Sequence, residues 1–264
     1  MNVEMPRPKE VLKRRAWLHR TQPFSHIVAR DVFTADFYSE LVAHYHEILA
    51  RGLHQGPTAT AGRFARSIVG YDAYGIGFNA STIGPLAFFG SLGWHDMLCG
   101  LFNVKATGHI NLGAHHHAVG SASGYIHNDF NPTWFPRKDD AGIAFPDPRR
   151  CAYKTGAGPL ASADKVEIVR AVAMIYFLAN DHWVEGDGGE TGLFDSAYTS
   201  VMAPYLRVPP ENNSILLFEC TPSSYHAFLH NPGRNRNSII MWTHRLKSDA
   251  ISRWPAAALE AWIT

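Results

Sequence analysis

Two histidines and an aspartate in this sequence have the residue types and the spacing of a metal site. In the segment GYIHNDFNP, His127 and Asp129 lie two residues apart, so on an extended backbone both side chains project from the same face. A third ligand can come from His226, in the segment SSYHAFLHNP. Two histidines and one carboxylate leave three positions of an octahedral metal open, which is the ligand set of non-haem iron(II) oxygenases.

Each part of this pattern also occurs in proteins without a metal. An H-x-D tripeptide is short enough to arise by chance, and a lone histidine such as His226 is more often a hydrogen-bonded structural residue. Zinc is the competing metal, but its sites are typically tetrahedral and built from three histidines or from cysteines. The sequence around the three residues must therefore decide between these interpretations.

That surrounding sequence resembles the 2-oxoglutarate/Fe(II)-dependent dioxygenase superfamily, in its prolyl 4-hydroxylase-like branch. Three blocks carry the resemblance, in the right order: YIHND at 125–129, AMIYFLANDHWVEGDGGETGLF at 173–194, and NNSILLFECTPSSYHAFLHNPGRNRNSIIMWTHR at 212–245. The resemblance implies a double-stranded β-helix, or jelly roll, with iron at one end. The first hundred residues match only loosely, as a helical support.

The resemblance also implies cofactors and a reaction. Fe(II), 2-oxoglutarate and O2 would together oxidise a substrate C–H bond, with release of succinate and carbon dioxide, and ascorbate could stimulate turnover. His127, Asp129 and His226 are implied as both metal ligands and catalytic residues. Halogenases of the superfamily lack the carboxylate ligand, so the presence of Asp129 favours hydroxylation.

A basic residue is implied for the distal carboxylate of 2-oxoglutarate. Arg236 stands ten residues after His226, and its guanidinium can donate two parallel hydrogen bonds to a carboxylate. Ser238, two residues further on, could add a hydroxyl donor. Arg234 is the competing candidate, and otherwise a solvent-exposed loop residue. The run His115–His117 has no accompanying carboxylate, so we favour a role around the pocket or at the surface over metal ligation.

The elements that must position these residues are predicted to be mostly strands. Four apolar segments, 104–112, 171–178, Ser214–Glu219 and 237–243, read as strands separated by Gly, Pro and Asn clusters, as in an antiparallel sandwich or barrel. Residues 171–178 are apolar at nearly every position, which suits a strand buried on both faces.

The flanking regions are predicted to support this core. A further strand is predicted at 24–33, a helix capped by Thr34 after it, alternating strand and loop at 54–78, and a second helical segment from 84 to about 102. The fold class is α+β, with a helix-rich support at 1–103, a jelly-roll core at 104–246 and a helical tail at 247–264, all in one integrated catalytic domain. Residues 132–163 form a long irregular stretch, which predicts a lid or insert loop.

The composition of the chain argues against nucleic acid and membranes as binding partners. The formal net charge of +1 provides no field for nucleic acid or an anionic membrane, and no stretch has the length and apolarity of a membrane span. The start of the sequence lacks the apolar region of a secretory signal. Three widely spaced cysteines do not form a disulfide framework, which favours the cytoplasm.

The substrate is predicted to be a small molecule, either a free amino acid or a biosynthetic intermediate. Aromatic and histidine-rich surroundings and the possible lid at 132–163 favour this over a peptide. Two alternatives stay open: a protein or peptidyl prolyl-type hydroxylase, and a non-catalytic cupin-like binding module. The sequence does not fix the oligomeric state or the oxidative outcome.

Overall fold

The computed structural model describes residues 5–56, 62–66, 71–138 and 140–262. Helices are few within these ranges: α1 (Pro8–Val11), α2 (Ala35–Leu49), α3 (Leu92–Leu101) and α4 (Lys247–Arg253), with short 3-10 helices at Pro85–Gly90, Ser162–Asp164 and Ala256–Ala258. No helix in the described part of the chain has the length and apolarity that a membrane crossing requires.

Strands dominate the structure. They are β1 (His19–Arg20), β2 (His26–Ala29), β3 (Leu53–His54), β4 (Phe64–Ala65), β5 (Tyr74–Phe78), β6 (Ile110–His117), β7 (Pro132–Pro136), β8 (Lys165–Phe177), β9 (Thr191–Leu193), β10 (Leu206–Val208), β11 (Ser214–Glu219), β12 (His226–Phe228) and β13 (Arg236–Leu246). Among the strand pairs of the described residues, β3 and β4 run parallel and the others are antiparallel.

These strands form two sheets that pack against each other. The larger, ten-stranded sheet has the order β1-β2-β11-β8-β13-β6-β5-β4-β3, with β7 paired to β8. The smaller sheet has the order β10-β9-β12. Apolar side chains of both sheets share one core cluster, in which Ile175 and Phe218 of the larger sheet meet Leu193 and Val208 of the smaller one. This arrangement is the predicted jelly-roll core of an α+β protein.

Strand β8 is buried on both faces, as its continuous apolar run predicts. Ala173 and Ile175 point into the core between the two sheets, whereas Met174 and Tyr176 point to the opposite face and pack in the cluster that contains the helices. Successive side chains of a strand alternate between faces, so both faces of this strand must be apolar.

Helix α2 covers the outer face of the large sheet. Its buried residues, Phe37, Leu41, Tyr45 and Ile48, recur at the three- and four-residue spacing of one helix face. Thr34 is the N-cap residue, but its side chain accepts no capping hydrogen bond. The predicted helix is therefore confirmed, while its start depends on packing more than on the threonine hydroxyl.

Several predicted element boundaries differ from the structure. The strand predicted at 104–112 instead runs Ile110–His117, because the histidine run pairs on one side with β5 and on the other with β13. The stretch predicted as irregular from residue 132 begins with a strand, β7. The final helix ends at Arg253, before both Trp254 and Trp262. In the segment 54–78, residues 57–61 and 67–70 lie outside the described residues.

Trp94 is expected to contribute strongly to stability. Its side chain is fully buried beneath the large sheet, and its indole N–H lies 3.3 Å from the Met174 sulfur. Replacing Trp94 with alanine should lower the free energy of unfolding by about 3–5 kcal/mol, the usual cost of removing a large aromatic side chain from a core. Tyr198→Ala, at a residue that is 99% exposed, is the control and should change it by less than about 0.5 kcal/mol. Urea denaturation measures the free energy of unfolding of both variants. If Trp94→Ala unfolded at the same urea concentration as Tyr198→Ala, the packing described for Trp94 would be wrong.

Candidate active site

The two histidines of the predicted metal site are brought together by an antiparallel bridge at the edge of the small sheet. His226 is the first residue of β12, and its backbone exchanges two hydrogen bonds with His127, with N···O distances of 3.1 and 2.8 Å. The segment around His127 thus extends the small sheet by one bridge. His127 and His226 are therefore in direct contact, although they lie far apart in the sequence.

Both imidazole rings are oriented in the same way. The Nδ1 atom of His127 lies 2.9 Å from the Tyr125 carbonyl, and the Nδ1 atom of His226 lies 3.0 Å from the Ser224 carbonyl. A carbonyl oxygen can only accept, so each Nδ1 carries the proton and donates it. In the neutral ring this tautomer leaves the lone pair on Nε2, the atom that each ring turns toward Asp129 and the one that can bind a metal.

Asp129 completes the group. One carboxylate oxygen lies 3.8 Å from Nε2 of His127, and the other lies 3.4 Å from Nε2 of His226. The three ligand atoms lie within 4.8 Å of one another, and no other group in the part of the chain searched could hold a metal in this way. The backbone of Asp129 has φ of 59°, a left-handed conformation that aspartate tolerates better than most residues.

The Asp129 carboxylate is held in place by the side chains of Arg170 and Trp242. The buried Arg170 guanidinium contacts Oδ1, and the Trp242 indole N–H donates to Oδ2 at 2.8 Å. Arg170 is itself packed between rings, 3.9 Å from the centroid of Trp242 and 4.6 Å from that of Trp262. Burial would raise the pKa of Asp129, but Arg170 and the two histidines hold that pKa well below its usual range. The carboxylate is therefore ionised.

His127 is neutral at physiological pH. Burial is the main cause that lowers its pKa to about 4, and the neighbouring His226 lowers it further. A neutral imidazole is the form that binds a metal. The neutral His127 ring and the ionised Asp129 carboxylate thus face each other in the forms that bind a metal.

A buried guanidinium lies on the same cavity wall. Arg236 is the first residue of β13, is 3% exposed, and donates to the Thr191 hydroxyl at 3.1 Å. Its charge stacks against Phe177 and Phe228, with 5.1 and 5.3 Å from the guanidinium carbon to the ring centroids. In the described ranges no carboxylate lies within ion-pair distance of it, and burial lowers its pKa to about 10. A buried cation without a counter-ion is a site for an anion.

The other residues predicted around this guanidinium differ in position. Ser238 is fully buried two positions along β13, and its hydroxyl has no hydrogen-bond partner among the described residues. Arg234 lies at the surface instead, where its guanidinium bonds to Asp187 at 2.8 Å with 41% of the side chain exposed. The structure therefore brings Arg236 to the cavity and keeps Arg234 in a surface ion pair.

The histidine run of β6 divides between the two faces of the sheet. His115 lines the cavity, and burial together with Arg236 lowers its pKa to about 3. His117 stacks on Phe228 at 3.8 Å, whereas His116 points away and bonds to Asn237 at 2.7 Å. All three are kept away from the His127–Asp129–His226 group, as the lack of a neighbouring carboxylate predicts.

One cavity of about 320 Å³ connects the metal-type group and the buried guanidinium. Several of its lining residues could not be identified from the sequence. They are Tyr71, Asn111, Lys154, Arg170, Thr191 and the tail residues Glu260 and Trp262. Arg170 directly precedes the apolar run 171–178 in β8, and Thr191 begins β9, but neither position marks a cavity residue in the sequence.

Comparison with known proteins agrees with this geometry. The 2OG-Fe(II) oxygenase superfamily matches residues 149–244, a range that contains His226 and Arg236 but not His127 or Asp129. No curated protein sequence matches the chain significantly.

Two solved structures share the fold at low sequence identity. A Pseudomonas putida prolyl-4-hydroxylase is 15% identical, with 83% of this chain and 92% of that chain covered and a TM-score of 0.52. A Trichoplax adhaerens prolyl hydroxylase, in complex with a hypoxia inducible factor oxygen degradation domain peptide fragment, is 13% identical, with 87% and 86% covered and a TM-score of 0.53. At these identities the similarity concerns the fold alone.

The fold, the sequence match and the local chemistry agree. The superfamily requires Fe(II), 2-oxoglutarate and O2, and a His-Asp-His group beside a buried arginine supplies donors for a metal and for a dicarboxylate. Residues 149–244 of the chain thus match the 2OG-Fe(II) oxygenase superfamily, and the fold is similar to that of prolyl hydroxylases.

Proposed function

We propose that this enzyme hydroxylates an unactivated C–H bond of a small molecule. In this proposal His127, Asp129 and His226 bind Fe(II), while Arg236 and Ser238 bind the distal carboxylate of 2-oxoglutarate. The substrate enters the part of the cavity that is bounded by the C-terminal tail. The single observation that carries the choice of a small molecule is a contact between the tail and the insert at the edge of the cavity.

The donor set fits iron(II). Two imidazole nitrogens and one carboxylate form a face of three ligands, and the Nδ1 hydrogen bonds fix both rings with the lone pairs inward. Arg170 and Trp242 restrain the carboxylate against rotation. The described residues include no cysteine near these atoms except Cys220, whose thiol is buried with a pKa well above its usual range and so does not supply a thiolate.

The pocket around Arg236 fits a carboxylate. The guanidinium has no counter-ion in the described part of the chain, and the buried Ser238 hydroxyl has no partner there. Both unsatisfied groups lie on one face of β13, two residues apart, so one carboxylate can contact both. Phe177 and Phe228 exclude water around the charge, which strengthens its attraction for an anion.

Iron and 2-oxoglutarate supply the oxidation itself when bound, and the residues of this chain supply position and exclusion of water. Arg236 fixes the far end of 2-oxoglutarate, and the histidines fix the metal end. Arg170 keeps Asp129 ionised and stationary without reaching the metal itself. Trp242 and Trp262 wall the remaining space, where the substrate C–H bond must lie.

The insert and the tail meet at the edge of the cavity. The rings of Tyr153 and Trp262 pack edge to face with 5.8 Å between centroids, and the Trp262 indole N–H donates to the Pro132 carbonyl at 2.7 Å. Lys154, next to Tyr153, also lines the cavity. An extended peptide needs an open groove along the site, and in this proposal the contact between insert and tail closes one end of such a groove. A cavity of about 320 Å³ suits a small molecule beside 2-oxoglutarate.

A peptidyl prolyl hydroxylase is the second candidate, and the fold similarity to the prolyl hydroxylases favours it. It requires that the Tyr153–Trp262 contact opens. The proposed lid function of residues 132–163 belongs to the same question, because Tyr153 and Lys154 lie within that stretch.

Succinate release tests the proposal. The purified enzyme is incubated with Fe(II), 2-oxoglutarate and ascorbate, with free amino acids and small metabolites in one set and proline-containing peptides in another. We expect a member of the first set to raise succinate release above the rate without substrate. Stimulation by peptides alone would support the peptidyl hydroxylase, and absence of any 2-oxoglutarate consumption would support a non-catalytic binding module.

A further inference from the structure

We propose that the outer part of the cavity recognises the zwitterionic end of a free α-amino acid, with Lys154 binding its carboxylate and Glu260 binding its ammonium group. This inference rests on the proposed function and specifies its substrate class. It arises from two opposite charges that line the same cavity and that form no ion pair with any of the described residues.

Lys154 is the uncompensated cation. It lines the cavity, and its ammonium group lies 4.9 Å from the ring centroid of Trp262. No carboxylate of the described residues lies within ion-pair distance of it, unlike Lys13 and Lys247, which pair with Asp31 and Glu167. Lys154 is exposed at the cavity, where partial burial of its ammonium group, together with Arg170, lowers its pKa.

Glu260 is the uncompensated anion. Its Oε2 accepts hydrogen bonds from the backbone N–H groups of Asn128 and Asp129, both at 3.1 Å. The Glu260 backbone is itself fixed, because its N–H donates to the Phe130 carbonyl and its carbonyl accepts from the Asn131 amide. Within the described ranges no cation lies at ion-pair distance from this carboxylate, and Oε1 accepts no hydrogen bond. Burial raises its pKa.

The remaining charges of the cavity are already matched. Asp129 is paired with Arg170, and in the proposed function Arg236 pairs with the distal carboxylate of 2-oxoglutarate. What is left for a substrate is one positive and one negative group near Trp262. A substrate with a single charge, or with none, would leave at least one of these two groups without a partner of opposite charge, and would forgo one charge-assisted hydrogen bond.

The same pattern discriminates against peptides and carrier-bound acyl groups. In a peptide the α-amino and α-carboxyl groups of an internal residue are neutral amides, so neither Lys154 nor Glu260 would gain an ionic partner.

The test uses three forms of each probe: the twenty free L-amino acids, their C-terminal amides and their N-acetyl derivatives. Substrate-stimulated succinate release is measured with Fe(II) and 2-oxoglutarate, and direct binding to the enzyme with both bound is measured by calorimetry without oxygen. We expect at least one free amino acid to bind and to be turned over. Its amide and its N-acetyl derivative should each have a KM at least about tenfold higher, since each removes one charge-assisted contact.

Variants of Lys154 and Glu260 then test which residue binds the carboxylate of the amino acid and which binds its ammonium group. Lys154→Met should raise the KM and the dissociation constant of the free amino acid about tenfold while barely changing those of its amide. Glu260→Gln keeps an oxygen for the two backbone N–H groups, and it should weaken the free form but not the N-acetyl form. Lys105→Met removes an exposed charge elsewhere and should change neither.

Failure of this inference is separable from failure of the proposed function. If 2-oxoglutarate binds and is slowly consumed without substrate, yet no free amino acid stimulates turnover, the zwitterion site is refuted while the oxygenase stands. Equal KM values for free, amidated and acetylated forms refute it as well. If 2-oxoglutarate is neither bound nor consumed, both proposals fall together.

Discussion

Replacing His127 or His226 with alanine is expected to abolish iron binding and 2-oxoglutarate turnover. Each substitution removes one of only three protein ligands. Changes in groups that merely orient ligands already cost about 10- to 100-fold in metal affinity, so loss of a ligand should cost more than about 100-fold. Anaerobic metal analysis after desalting measures retention of iron, and succinate release measures turnover.

His182→Ala is the matched control, because His182 is exposed and lies outside the cavity. It should retain iron and activity as the unaltered protein does. Full iron occupancy with undiminished succinate production in either His127→Ala or His226→Ala would mean that the ligands are misassigned.

Asp129 is a poorer first target than the histidines. Its removal would leave the Arg170 guanidinium buried without its carboxylate, and breaking a buried ion pair costs about 3–5 kcal/mol of stability. Loss of iron in Asp129→Ala would therefore be mixed with loss of folded protein. The histidine variants avoid this, because each ring bonds through Nδ1 only to a backbone carbonyl.

Arg236→Ala is expected to weaken 2-oxoglutarate binding by roughly 30- to several-thousand-fold. Truncating one member of a buried charge pair costs about 2–5 kcal/mol, and each 1.4 kcal/mol is a factor of ten. Arg236→Lys should give an intermediate defect, because it keeps the charge and loses the planar pair of donors. An anaerobic titration of the iron-loaded protein with 2-oxoglutarate measures both, and iron binding itself should survive.

Arg234→Ala is the control that the chain provides two residues away. Its guanidinium is in a partly exposed ion pair with Asp187, so its loss should change 2-oxoglutarate affinity by less than about threefold. If Arg234→Ala greatly weakened 2-oxoglutarate binding and Arg236→Ala did not, Arg234 would be the residue that binds the co-substrate. No loss with either would refute the proposed co-substrate pocket.

The sequence was most informative where function depends on short local patterns. His127 and Asp129 share one segment, and the step from His226 to Arg236 lies within one block, so their types and spacing are readable without coordinates. The antiparallel strands of the core followed from apolar runs such as 171–178, because double-sided burial requires apolar residues on both faces of a strand, whereas the jelly roll was implied by the family resemblance.

What could not be predicted depends on long-range pairing. Arg170 contacts Asp129 across 41 residues, and Glu260 reaches the backbone of Asp129 from the end of the chain. Neither pair has a local signature, because an arginine in an apolar strand and a glutamate in a tail have many other uses. The shift of β6 toward His117 has a similar origin, since the neighbours β5 and β13 decide where the strand ends.

The most direct test of the central claim is an anaerobic titration of the Fe(II)-loaded protein with 2-oxoglutarate, followed by metal-to-ligand charge-transfer absorbance. This absorbance requires that iron and 2-oxoglutarate are bound to each other in the cavity. We predict that it appears, saturates at one 2-oxoglutarate per chain, and is lost in His127→Ala and His226→Ala. A protein that develops no such absorbance, or that develops it equally without these histidines, would contradict the proposed iron and 2-oxoglutarate site.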